Sequence, residues 1–520
     1  MSKKHGNLII TNANIWEHKE SDTIIIENGV VKKICKGTNL ENISSKYTYL
    51  DIKGRMVIPG LADAHMHLYG YSLSLMHLDL RGTMSIEELK KRLYDFYRRK
   101  KSGWIIGRGW DQENFKEKRY PTRWDLDEVV SDVPVVLTRV CGHVIVVNTK
   151  ALEIAGIDKN VNDPLGGKIG RDESGDLNGL FFEKAMDLIY SKIPEPSFNE
   201  KKKALLNAIK EALSYGLTEL HAMSVTREEL NLYKRVFRKI PSPIKIKLYL
   251  EPNLAEEINS EIDIGHNVRI VGIKVLSDGS LGGRTAALRE PYEDDPSTFG
   301  LLTISEEDLY KALKISTNKN MQLAIHAIGD RAIEYVVTIV EKFFKGKYVG
   351  KKVRIEHASL LPPDLLDKVR RLGLAISVQP HFILTDWWVV DRLGKRARWV
   401  YPLKTIINSC ISAASSDAPV EPLNPWLGIY AAVDRGKKEH LDIWGISANE
   451  ALTVKEALKL YVNGKVLSGT FKNNKIEEGM VADLTIIDRL TLPDSLSDIL
   501  KMRVYATIVN GNIVYKKDDR

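Results

Sequence analysis

The chain has 520 residues, 43% of them hydrophobic and 28% charged, which is ample material for a large core and more length than one ordinary domain needs. Its 76 Lys and Arg against 68 Asp and Glu leave a net charge of +8, spread without a long basic tract, which argues against nucleic acid as a partner. No apolar run approaches the ~20 residues of a membrane span, and Cys35, Cys141 and Cys410 are too few and too scattered for a disulfide framework or a thiolate zinc site, so a soluble cytoplasmic protein acting on a small molecule is expected, with homo-oligomer formation left open.

From the N-terminus, Asn7–Ile15, Thr23–Ile26 and Val30–Ile34 read as short strands, with Glu27-Asn28-Gly29 as a hairpin turn. At the other end, Asp483–Asp488 and Ala506–Val514 alternate in the same way, the latter turned by Asn510-Gly511. Two β-rich ends enclosing an α/β centre suggest one sandwich built from residues 1–58 and 465–520. Between them, at 59–464, apolar strands alternate with helical stretches, the pattern of a parallel sheet covered by helices. Eight candidate strands, Val57–Leu68, Leu217–Ala222, Ile244–Leu250, Ile270–Ser277, Gln322–His326, Val353–His357, Leu374–Val378 and Ile411–Ser416, favour a closed (β/α)₈ barrel over an open sheet. The stretch at about 80–200 is too long for a single connection, so an inserted subdomain after the first barrel strand is expected.

His65 and His67, two apart in Pro59-Gly-Leu-Ala-Asp-Ala-His-Met-His67, share one face of a strand and can bind one metal. Such a pair arises by chance about 0.3 times in a chain of this composition and is weak by itself. His326, His357 and Asp417 stand at the ends of later strands, which in a barrel converge on one face. Any one of these histidines is more often a hydrogen-bonded structural residue. Together, four histidines and an aspartate describe a cation held through nitrogen and oxygen, with zinc the first choice.

The order of these residues resembles the amidohydrolase superfamily, and more closely its branch of YtcJ-like and N-substituted formamide deformylase-like enzymes. Further signatures of that branch are Gly109-Trp-Asp-Gln112, Pro121-Thr-Arg123, Gly142-His143 with Val147-Asn148, Asp278-Gly-Ser-Leu-Gly-Gly-Arg-Thr-Ala286, Ala324–Asp330 and Ser415–Val420. The resemblance implies one or two divalent metals on His65, His67, His326, His357 and Asp417, with Lys274 as a carboxylated bridge between two ions. A lysine on so apolar a strand is otherwise costly to bury, although pairing with a carboxylate such as Asp278 is an alternative. It also implies Trp110, Asp111, His143, Arg284 and Asp330 as substrate-pocket candidates, with Glu183 as a cap on the site. His381, after Val378-Gln-Pro380, departs from the branch's pattern and lines the pocket or faces solvent; His221, a position often polar in the family, is not expected to be a ligand. The implied reaction is hydrolysis of a C–N bond of amide, N-acyl or formamide type by a metal-bound hydroxide, with Asp417 as proton acceptor. An esterase or lactonase on the same site, or a non-catalytic metal-binding regulator, are the alternatives.

Overall fold

The computed structural model describes residues 6–37, 46–100, 103–258, 262–468 and 475–518. The chain divides into two compact units, one of residues 1–71 with 205–520 and the other of residues 72–204.

The first unit is built on a barrel of eight parallel strands, each pairing with the next in chain order. They are β1 (Leu61–Met66), β2 (Leu217–Val225), β3 (Lys245–Leu250), β4 (Val268–Leu276), β5 (Gln322–Ala327), β6 (Val353–His357), β7 (Ala375–Val378) and β8 (Ser412–Ala414). Each coincides within a few residues with an expected strand. Just past their ends, β8 and β1 are stitched together, with Asp417 N–H donating to the His65 carbonyl and His67 N–H to the Ala418 carbonyl, each at 2.8 Å. That contact brings the ring nearly to closure. Outer helices such as Arg227–Phe237, Asp330–Phe343 and Pro363–Leu372 turn Leu230, Val336, Val340, Leu365 and Val369 inward. The first is started by a capping box in which Thr226 and Glu229 satisfy each other's backbone N–H groups.

Both ends of the chain add strands to this unit. Leu8–Thr11, Thr23–Glu27, Val30–Cys35 and Thr48–Asp51 form a four-stranded sheet, while Asn14–Ile15 and Met56–Pro59 join Leu484–Ile487, Val504–Val509 and Asn512–Lys516 in a second of five. The two expected hairpin turns are present, with Asn28 and Gly29 at φ 51° and 80° and Asn510 and Gly511 at 49° and 73°, the left-handed pair that a tight turn between twisted strands requires. Gly511 also lies against Gly29, whose Cα stands 2.8 Å from where a Cβ on Gly511 would be, so this position has no room for a side chain.

The second unit carries a six-stranded sheet in the order Gly167–Arg171, Leu177–Glu183, Val144–Val147, Val135–Arg139, Ile105–Trp110, Leu78–Asp79. Strict alternation divides its apolar residues between two cores. Val135, Leu137, Val144 and Val146 pack with Trp110, Phe115 and the Leu89 and Leu93 face of helix Ile86–Lys100. Val136, Ile145 and Val147 pack on the other side with Trp104 and Phe181.

Candidate metal centre

At the C-terminal ends of the barrel strands, His65 from β1, His357 from β6 and Asp417 beyond β8 bring one donor atom each to within 4.8 Å of one another, all three buried. Asp417 Oδ1 stands 3.3 Å from His65 Nε2 and 3.4 Å from His67 Nε2, yet neither contact has hydrogen-bond geometry, and Asp417 Oδ1 and His357 Nδ1 are both buried without a partner. Buried polar atoms are rarely left so. Nitrogen and oxygen lone pairs directed at one place, with nothing from the protein to satisfy them, fit a borderline divalent cation such as zinc. His357 and Asp417 hold left-handed backbone conformations at φ 72° and 59°, a local strain of about 1–3 kcal/mol each that concentrates on two of the three donors.

The remaining expected ligands surround this triad. The His326 ring lies 4.5 Å from that of His357, and its Nε2 lies 2.9 Å from the Gly279 carbonyl. A carbonyl can only accept, so Nε2 carries the proton and the lone pair is on Nδ1. Lys274 Nζ is 3.3 Å from His65 Nε2. Burial brings the Lys274 ammonium down to about 8, against the opposing pull of Glu356 and Asp417. Asp278 is not its partner: that carboxylate accepts the backbone N–H groups of Ala287, Ile328 and Gly329 at 2.8–3.0 Å. Burial lowers His326 to about 4 and holds His65 and His357 well below the usual histidine range, so all three rings are neutral at pH 7 and keep a lone pair for a metal.

The residues expected to line a substrate pocket each have partners of their own. Arg284 is paired with Asp294 at 2.6 Å. Asp330 begins helix Asp330–Phe343 and accepts the Arg289 and Arg331 N–H groups, each at 2.9 Å. In the second unit, Trp110 is fully buried, donating its indole N–H to the Leu137 carbonyl at 2.9 Å, which makes it a core residue of that sheet. Asp111 accepts Arg139 at 2.6 Å and caps the turn Gln112–Asn114. His143 and Glu183 pair with each other at 3.0 Å and are both exposed. His381 is partly buried and bonded to Glu421, which also accepts the Thr385 hydroxyl at 2.6 Å.

Two residues of the centre were not read from the sequence. Glu356 lies 2.5 Å from His65 Nδ1 through its Oε2, and Arg354 binds both oxygens of that carboxylate. Their signal was present as charged residues two apart on an apolar strand, Val353-Arg-Ile-Glu-His357, which alternation places together inside the barrel.

The amidohydrolase family model matches residues 48–515. YtcJ of Bacillus subtilis (strain 168), which carries an amidohydrolase name, is 34% identical over 99% of this chain and 99% of its own. The N-substituted formamide deformylase of Arthrobacter pascens is 23% identical over 98% of each. Among solved structures, an uncharacterized metal-dependent hydrolase from Pyrococcus horikoshii is 33% identical, covers 93% of this chain and 97% of its own, and superposes with a TM-score of 0.76. With a barrel carrying metal-type donors at its strand ends and a family match across nearly its whole length, the chain belongs to the amidohydrolase family of hydrolases.

Proposed function

We propose that this enzyme hydrolyses a C–N bond of amide, N-acyl or formamide type, using one or two divalent ions, zinc first among them. The observation that carries the reading is the buried convergence of His65, His357 and Asp417, with His357 Nδ1 and Asp417 Oδ1 left without partners. These three would hold the cation, with His67 and His326 beside them, and Lys274, once converted to its carbamate, would offer oxygen donors to a second ion. A divalent cation bound there supplies polarisation of a carbonyl oxygen and acidification of water. Asp417, whose Oδ1 faces the histidines, has Oδ2 to take a proton and return it to the leaving nitrogen. The formamide deformylase among the relatives supports a C–N substrate. Exposed Leu276, Phe299, Leu301, Trp387 and Val420, at strand ends and on the loops that follow them, favour an apolar substituent on it. The three unpaired cysteines fit a reducing, cytoplasmic setting.

The test joins metal analysis to a hydrolysis screen over N-substituted formamides, N-acyl amino acids, cyclic amides and simple esters. His65→Ala with His67→Ala is expected to lose most of the metal and all turnover. Unchanged metal content in that double variant defeats the ligand assignment, and turnover of esters alone moves the enzyme to another substrate class.

A further inference from the structure

We infer that Glu356, held by Arg354, is a positioning residue that fixes His65 as a metal ligand through its Nε2 atom; the inference rests on the metal-site reading above. Arg354 is fully buried, and all five of its N–H groups are engaged. Nε and one Nη2 hydrogen go to Glu356, the second Nη2 hydrogen to the Ala64 carbonyl at 2.5 Å, and the Nη1 pair to His221 Nδ1 at 3.1 Å and the Tyr249 hydroxyl at 3.2 Å.

A guanidinium only donates, so His221 Nδ1 is an acceptor and the proton of that ring sits on Nε2, which points at Glu219 Oε1 at 3.0 Å. At the other end a carboxylate only accepts, so His65 donates from Nδ1 to Glu356. That leaves the lone pair of His65 on Nε2, the atom facing Asp417 and Lys274 at 3.3 Å each. From Glu219 to the metal centre, the direction of each hydrogen bond is therefore determined. A buried ion pair serving stability alone is complete with Arg354 and Glu356. Here it extends on one side to the imidazole and on the other to the carbonyl of Ala64, so both the ring and the backbone of one ligand are held. A carboxylate behind a ligating histidine sets its tautomer and strengthens its donor nitrogen.

The test compares two double variants, R354M/E356Q and R354M/E356L. Each removes both charges, so neither leaves an unpaired buried ion. Glutamine still offers an oxygen to His65 Nδ1, and leucine does not. Zinc affinity, measured by competition with a chromophoric chelator, is expected to be roughly 10–100-fold weaker in R354M/E356L than in R354M/E356Q, with similar unfolding midpoints for the two metal-free proteins. Equal zinc affinities overturn the inference. Should the variants not fold, two-bond ¹H–¹⁵N correlations on the otherwise unaltered ¹⁵N-histidine-labelled protein read the His65 tautomer directly, its signal recognised by its loss in H65Q: a proton on Nδ1 is expected, and a proton on Nε2 overturns it. Zinc binding by the native protein with no difference between the variants sinks this inference alone. A native protein that binds no zinc sinks the metal reading and this inference with it.

Discussion

Asp417 combines a left-handed backbone, a buried carboxylate oxygen without a partner and a position between two histidines. Asparagine matches its shape and tolerates that backbone region better than most residues, but it cannot take a proton from water. Asp417→Asn is therefore expected to fold normally while turnover falls by at least about a hundredfold, the usual weight of a general base. Metal content must be read beside the rate, because one ligand oxygen becomes an amide. Near-normal turnover at full occupancy would place the base on another residue. Trp110 shows the opposite relation between a motif and its role. It stands in one of the family's signatures, yet its ring fills a core and its N–H is satisfied within that core, so the motif marks a folding requirement at that residue.

At the scale of elements, the barrel strands were legible because each is a short apolar run ended by turn residues, and a barrel puts those ends on one face. The charged interior below the metal centre was not. In β3, Lys245-Ile-Lys-Leu-Tyr-Leu250, lysines alternate with apolar residues, which reads as a strand with one face in water. Lys245 and Lys247 are instead each only 8% exposed, paired with Asp483 and facing Glu219. Alternation tells which side chains share a face; it does not tell whether that face looks at solvent or into a barrel. The segment after β7 yields a further expectation. Burial pushes the Asp386 carboxyl up to about 6, against the hydroxyl that Tyr401 donates to it. Between about pH 4 and 6 the folded protein thus keeps a proton that the unfolded chain has released, and stability falls as pH rises through that window. Asp386→Asn keeps an acceptor for Tyr401 and has no charge to bury. It should flatten the dependence of urea unfolding on pH between 4 and 6 and gain on the order of 1–2 kcal/mol at pH 7. An unchanged slope would show that Asp386 is not the group responsible.

For the whole molecule, the five-stranded sheet matters because it unites residues far apart in sequence. Met56–Pro59 pairs on one side with Asn14–Ile15 and on the other with Leu484–Ile487, which in turn pairs with Val504–Val509. The strand after Pro59 is β1, with His65 four residues on from Leu61. Deleting residues 504–518 removes the partner of Leu484–Ile487, taking buried Ile508 and Val509 with it and stripping the strand beside buried Ile486. The shortened chain is expected to lose cooperative unfolding and to aggregate, as size-exclusion chromatography would reveal. A monomer with the native unfolding midpoint would show the sheet to be dispensable. The same connectivity bears on how the protein is made. A ribosome releases the Val57 and Ile58 edge early and delivers its partner about 425 residues later, so at ~5–20 residues per second that apolar edge waits unpaired for roughly 20–85 s in each round of synthesis. An open strand edge is a template for foreign pairing. The nascent chain therefore depends, for most of its time on the ribosome, on something else shielding Met56–Pro59, and demand for chaperones should rise steeply when translation slows before residue 484.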